Sequence, residues 1–433
     1  MKAIVIGGGV GGLTVALELA KKGWDIHVYE KNNELGGLAS GFPTGGSYLE
    51  RFYHHIFTTD TYYQRLVKEV GLEDKLIWIN PKMGMFHAGR IWSFQPVDFM
   101  LKFSPLNLIS RFRFALSVLY LQKVKNWKPY EGVTAISWLR KYAGRQVCEV
   151  VWEPLLKAKF GKDFDRISMA WMWARISTRA GSRREGKEAL GYLKDGGFMS
   201  LINAAEAEIK KHGGMIQTRA EVQKIVVREG RAVGIMVDGS EDTADLVICT
   251  LAPSLMLRLL PDAPLGFARQ YPPVGYLGAL CLVIQIKESL SPIYWMNISD
   301  PTMPITAMVE HTNFMPPAQY QGNRYMYLGA YLPQDHRFFK MSADELLQEL
   351  APHVKKVFPK FDLTQVPEKW LFKELFAQPI MEINYSKKIP PIVTSIPNLY
   401  HISMAQVYPE DRGTNFSIKL GYELADRLLQ TSR

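Results

Sequence analysis

The chain has 433 residues, 47% hydrophobic and 22% charged, an ordinary globular composition with material for two or three domains. Three scattered cysteines, Cys148, Cys249 and Cys281, without any CxxC spacing exclude a disulfide framework and a zinc site; buried thiols and no metal are expected. The net charge of +10 comes with no nucleic-acid motif, so it points to an anionic substrate or membrane surface and not to nucleic acid.

The first thirty residues read as strand, tight turn, helix, strand. Strands are predicted at 3–6 and 26–29. Leu13, Ala16, Leu17 and Ala20 form one helix face, and Gly23 suits the helix end. The opening strand is expected at the centre of its sheet. Gly7-x-Gly9-x-x-Gly12 falls in the turn, with Gly11 beside it. Gly7 permits the turn, Gly9 lets a pyrophosphate approach the backbone, and Gly12 allows close packing of helix on strand. The helix N-terminus adds free N–H groups and a favourable dipole. Glu30, followed by Lys31, ends the second strand, where an acid accepts hydrogen bonds from ribose hydroxyls. These features in register specify a dinucleotide site.

Six residues beyond Glu30 stands Gly36-Gly37-Leu38-Ala39. This second glycine turn resembles the extended fingerprint of FAD-binding oxidoreductases. The N-terminus as a whole resembles the flavin amine oxidase superfamily, especially its protoporphyrinogen oxidase and phytoene desaturase branches. Next comes Tyr53-His54-His55, on a segment that the resemblance runs toward the flavin. If these residues lie on a strand, the two histidines point to opposite faces, and one of them orients substrate or takes a proton. Otherwise one packs in the interface and the other is solvated. HIFTTD, from His55 to Asp60, also resembles UDP-galactopyranose mutase, a flavoenzyme without net redox.

Residues 60–187 read as mainly helical and basic. Across 99–128 a helix capped by Ser104 and Pro105 is predicted. Lys102, Arg111, Arg113, Lys123, Lys125 and Lys128 stand there without an acid, around the apolar run 114–121. That pattern suits a helix lying in a headgroup layer, or an internal helix with one solvated basic side. A second cluster, Arg175, Arg179, Arg183, Arg184 and Lys187, faces a single acid, Glu185. It is either a clamp for carboxylates or a diphosphate, or a solvated face. Trp171 and Trp173 beside it read as core.

The resemblance resumes across 188–214, where Gly196, Gly197 and Phe198 precede a helix, and implies that Val222 sets backbone groups against the adenine. A strand meander follows to about residue 250, with hairpin turns at Glu229-Gly230 and Asp238-Gly239. Longer strands are predicted over 270–334, a helix near 342–358 and a last strand over 399–404. The tail again resembles the family's final FAD segment. It implies a helix N-terminus at Gly413-Thr414-Asn415-Phe416 aimed at the flavin ring, with Phe416, Leu420, Leu424 and Leu428 as its buried stripe. Many relatives end the last strand in Gly-Asp or Gly-Glu, whereas this chain has Ser403-Met404. Asp411 replaces that acid, or Arg412 contacts the pyrophosphate.

The resemblance implies an α/β fold, a Rossmann-type FAD/NAD(P)-binding domain with an inserted α+β substrate domain. FAD segments are expected at 1–75, 188–255 and 395–433; the insert supplies a helical part, 76–187, and a β-rich part, 256–394. The function implied is an FAD-dependent oxidoreductase of dehydrogenase, desaturase or oxidase type. It passes a hydride from a large, mostly apolar or amphipathic substrate to flavin N5, with Tyr53, Arg175 and Arg179 on the substrate side. The rival is a sugar-nucleotide mutase. With no apolar run of about 20 residues and no signal-peptide pattern, a cytoplasmic place is expected, or a peripheral one on the inner face of the membrane.

Overall fold

The computed structural model describes residues 1–184 and 187–431. Glu185, the acid expected among the arginines, lies outside the described residues.

Five parallel strands form the first sheet, in the order Met215–Gln217, Asp25–Tyr29, Lys2–Ile6, Leu246–Cys249, Leu399–His401. The chain's first strand is central, and three distant stretches build one sheet. Both faces are apolar, as in parallel sheets covered on two sides. Ala3, Val5, Ile26, Val28 and Ile248 pack under the helices Val10–Ala20, Gly197–Lys211 and Thr414–Thr431. Ile4, Ile6, Val247 and Cys249 face the other way, onto the antiparallel sheet Val222–Arg228, Arg231–Val237, Ser240–Thr243. Its hairpins turn where predicted: Glu229-Gly230 and Asp238-Gly239 hold φ of 50° and 74° in both cases, the paired left-handed residues that two-residue hairpins need.

The second large sheet has seven strands, ordered Lys369–Pro379, Tyr276–Ile286, Arg324–Pro333, Ala307–Glu310, Trp295–Ile298, Met83–His87, Arg90–Ser93. It is mixed, because Trp295–Ile298 runs parallel to Met83–His87. Leu280, Leu282, Ile284, Met326 and Leu328 pack under the helix Ala343–Val357, which starts in a capping box of Ser342 and Glu345. Cys281, Val283, Val309, Tyr325 and Tyr327 face inward, toward the nucleotide-binding side. A small sheet of Ile56–Phe57, Leu190–Leu193 and Leu76–Ile79 lies between the two large ones in the chain path. All three cysteines are buried.

The single helix predicted across 99–128 is two helices, Pro96–Lys102 and Leu108–Lys123. Asn107, rather than Ser104, caps the second, its side chain accepting from the Ser110 N–H at 2.8 Å. Arg111 does not join the basic surface: it is buried and donates to the carbonyls of Leu106 and Met100, pinning the turn between the helices.

Candidate active site

The helix Val10–Ala20 begins at Gly9 without a side-chain cap, so its first N–H groups stay open. Each glycine there has a different reason. A Cβ on Gly12 would stand 2.2 Å from the Gly7 carbonyl oxygen, and one on Gly7 (φ 105°) 2.4 Å from Thr250 Oγ1. A Cβ on Gly9 would meet nothing within 4 Å. Gly7 and Gly12 are required by packing, whereas Gly9 borders open space. The second glycine turn lies directly on the first: the Gly36 N–H donates to the Gly8 carbonyl at 2.8 Å, and Gly36 bridges Gly9. The short turn Gly37–Ala39 also lacks a side-chain cap, with Leu38 half-buried and Ala39 buried behind it.

Glu30 closes one end of this cradle. Its carboxylate accepts the Gly8 N–H at 2.8 Å and the Asn32 N–H and Nδ2 at 2.8 Å, and it is 6% exposed. Lys31 next to it is exposed. The N–H groups of Arg219 and Ala220 donate to the carbonyls of Asn32 and Glu30, which brings the start of the Val222 strand to this rim. From the other side comes the tail helix. A Cβ on Gly421 would lie 2.7 Å from the Gly11 carbonyl oxygen, and one on Gly11 2.8 Å from Ser417 Oγ. The two helices therefore cross backbone to backbone, and Gly413 borders open space just ahead of the tail helix. An open cradle over Gly9, uncapped N–H groups on two turns and a carboxylate at the strand end fit the pyrophosphate and ribose of FAD.

Other tail residues sit elsewhere than expected. The Asn415 side chain caps a different helix: its Oδ1 accepts the N–H groups of Tyr62 and Tyr63 at 2.9 and 3.0 Å, opening Thr61–Glu69. Thr414 and half-buried Phe416 begin the tail helix, while Leu420, Leu424 and Leu428 are buried as expected. Phe416 borders a pocket of about 260 Å³ with Asp60, Trp173 and Ser177. Asp411 does not replace the missing acid at the phosphates. Its carboxylate binds Lys159 Nζ at 2.8 Å, Trp171 Nε1 at 3.1 Å and the Arg175 guanidinium. Arg412 does not reach toward the glycine loop either; it donates to Tyr331 Oη at 2.7 Å and Gln378 Oε1 at 3.1 Å, on the seven-stranded sheet. Ser403-Met404 opens a self-capped turn in which the Ser403 N–H donates to Gln406 Oε1.

Asp411 and Arg412 thus belong to a second compartment, between the cradle and the inner face of the seven-stranded sheet. A small cavity there is lined by Phe52, Tyr53, His54, Cys281, Tyr331 and Arg412. Tyr53 packs closely on the sheet because residue 329 is glycine; a Cβ there would fall 2.4 Å from the Tyr53 ring. The histidines sit in an extended connector before Ile56–Phe57 and not on a strand, yet their surroundings differ as alternation would make them. His54 faces the cavity, its Nδ1 donating to the Phe52 carbonyl, so the neutral ring carries its lone pair on Nε2. His55 sits among Phe57, Tyr294, Trp295 and Phe314, with Nδ1 3.1 Å from Tyr294 Oη. Burial, helped by the Arg412 charge, pulls His54 down to about 4. Burial and the Arg179 and Arg175 charges pull His55 down to about 3. Both rings are neutral at pH 7.

The cations form one cluster. Arg179 reaches Glu188 at 3.4 Å and keeps a third of its side chain accessible. Burial alone would raise Asp411, but the charges of Lys159 and Arg175 hold it well below the usual carboxylate range. Lys159, drawn down to about 7 by burial and by the neighbouring Arg175 and Arg412, is the residue that sequence reasoning missed. It is one of several lysines between 157 and 162, and nothing local distinguishes it. Tyr331, Tyr294 and Glu188 were equally silent. Asp60 closes the HIFTTD stretch: burial raises it to about 7, and it accepts the Phe57 N–H at 2.8 Å. Arg183 and Arg184 are exposed, their short strand paired antiparallel with Lys187–Glu188.

Comparison with known proteins bears on the family and the fold. The profile of the family described as flavin containing amine oxidoreductase matches residues 10–400. The chain is 24% identical over 282 residues to 15-cis-phytoene desaturase of Solanum lycopersicum, covering 60% of this chain and 48% of that protein. It is 22% identical over 299 residues to coproporphyrinogen III oxidase of Staphylococcus aureus, covering 60% and 62%. The chain thus spans about half the length of the desaturase. Reduced UDP-galactopyranose mutase shares the fold at a TM-score of 0.73 and 16% identity, over 99% of this chain and 96% of that one. With a profile that runs from the first helix of the parallel sheet into its last strand, the chain belongs to the flavin-containing amine oxidoreductase family, and FAD is its cofactor.

Proposed function

We propose that this protein is an FAD-dependent oxidoreductase acting on a large, mostly apolar substrate that carries an anionic group. The observation behind the anionic group is Arg412. It is half-buried at the cavity, it donates to the neutral Gln378 and Tyr331, and no carboxylate stands within ion-pair distance of it among the described residues. FAD, when bound, supplies the two-electron acceptor. The aromatic walls of Phe52, Tyr53 and Tyr331 exclude water from an apolar body, and the cations hold a carboxylate or phosphate at one end. His54, neutral with a free Nε2, is placed to accept a proton or a hydrogen bond. Relatives named for phytoene desaturation and coproporphyrinogen oxidation support the oxidative reading.

The test is anaerobic mixing of the FAD-loaded protein with coproporphyrinogen III and with phytoene. One of them should bleach the flavin absorbance without added reductant. Arg179→Ala should then raise KM by about one to two decades at unchanged FAD content, the loss of a charge-assisted contact. Arg179→Lys should recover only part of it, since an ammonium lacks the planar fork. A second reading rests on HIFTTD and on the fold shared with the mutase. If neither substrate bleaches the flavin, while dithionite-reduced protein converts UDP-galactopyranose, the oxidative reading is wrong and the mutase reading stands.

A further inference from the structure

The helices Pro96–Lys102 and Leu108–Lys123 bury Phe99 and Leu121 but carry a row of large apolar side chains on the outside. Val97 and Leu101 are 70% and 71% exposed; Ile109, Phe112, Leu116 and Leu119 are all more than half exposed. At 3.6 residues per turn, positions 109, 112, 116 and 119 fall within about 80° of one another around the helix. The opposite face is already taken. Ser117 and Leu121 are buried, and the Leu121 carbonyl accepts Trp173 Nε1 at 3.0 Å from the helix Met169–Gly181, which also carries Arg175 and Arg179. The outward face is therefore held in place by packing beneath it, and no segment of the described chain covers it.

Its surroundings are cationic. No acid occurs from Phe99 to Tyr130, and Lys102, Arg113, Lys123, Lys125 and Lys128 stand exposed around the apolar arc. Asp98, just ahead of this stretch, is paired with Lys102 at 2.9 Å. A second copy of the chain on this face would bring two cationic rims together, whereas an acidic lipid surface would neutralise one. No helix of the described residues is long and apolar enough to cross a membrane. We propose that this face docks the protein in the headgroup layer of an anionic bilayer, with the apolar arc among the upper acyl chains and the lysines at lipid phosphates. The proposal goes beyond the oxidation reading and stands apart from it, because docking is read without turnover.

The experiment is flotation of the FAD-loaded full chain with phosphatidylcholine vesicles, plain or with about one-third phosphatidylglycerol. Binding is expected on the acidic vesicles, weakening as salt screens the lysines. Phe112→Asp with Leu116→Asp should lower the partition at least about tenfold, with flavin absorbance reporting that the fold persists. The three native cysteines are buried, so an environment-sensitive dye on Leu116→Cys labels this face selectively, and its emission should shift to the blue on acidic vesicles. No binding, equal binding to neutral vesicles, or binding undiminished in the double aspartate variant overturns the proposal. So does light scattering that finds a dimer which that variant splits, since a second copy then covers the face.

Discussion

At the cradle, almost every contact that shapes the site is made by backbone: the crossing of Gly11 and Gly421, the Gly36 bridge to Gly9, the uncapped first turns. In the chamber, the shaping is done by side chains from distant segments, with Lys159, Trp171 and Arg175 converging on Asp411 and Tyr331 on Arg412. Where backbones touch, as at Gly12 and Gly421, the cradle tolerates no added Cβ, whereas a buried ion cluster tolerates a lost partner poorly.

The sharpest break of this contrast is Asp411→Ala. It leaves Lys159 and Arg175 without their shared counter-ion at a largely buried position, and should cost about 3–5 kcal/mol by chemical denaturation. Adding Lys159→Met should return part of that loss. The FAD dissociation constant should hold through both changes; a rise of about tenfold or more places the cluster in the cofactor site and ends the distinction.

Glu50 tests the seam between the two regions. Fully buried, it accepts Tyr192 Oη at 2.8 and 2.9 Å and the Phe198 N–H at 2.9 Å, and burial raises it to about 7. The folded state therefore holds this proton more tightly than the unfolded chain. The resulting stability is present below the ordinary value of 4.5 and is lost as pH rises through about 7. Glu50→Gln removes that loss, so its stability relative to wild type should improve by about 2–3 kcal/mol between pH 5 and pH 8. A flat difference across that range means that Glu50 ionises freely where it stands.

The glycine pair gives the smallest and most selective effects. Gly12→Ala should destabilise the apoprotein by about 1–3 kcal/mol, because its Cβ meets a backbone oxygen. Gly9→Ala should leave apoprotein melting unchanged and weaken FAD by about tenfold, because only the pyrophosphate comes that close. Normal FAD affinity in Gly9→Ala shows that the phosphates lie elsewhere.

The same contrast explains what could be read from the sequence. The strand–turn–helix unit, both glycine turns, the Glu30 position and the two hairpins each depend on conformational demands met within a few residues, so their letters announce them. Chamber residues answer to partners hundreds of positions away: Asp411 reads as a possible phosphate acid until Lys159 and Arg175 are seen around it. Asn415 reads as part of its own helix start, yet it caps a helix beginning at Thr61. The misplaced start at Ser104 has a local cause, since Asn107 is an equally good cap and the turn between the helices is fixed by Arg111, which no capping rule registers.

The strand order has a consequence for how the molecule comes into being. Leu399–His401 completes a sheet begun at Lys2, and the helix after it lies against Gly11, so the cofactor site joins segments some four hundred residues apart in the chain. The central strand finds its second neighbour only about 240 residues later, at Leu246–Cys249, and that strand in turn waits about 150 more for Leu399–His401. Parallel pairings across such separations close slowly and leave an aggregation-prone edge exposed meanwhile. A topology of this kind is expected to gain yield from conditions that shield the open edge, such as more chaperone or a lower growth temperature.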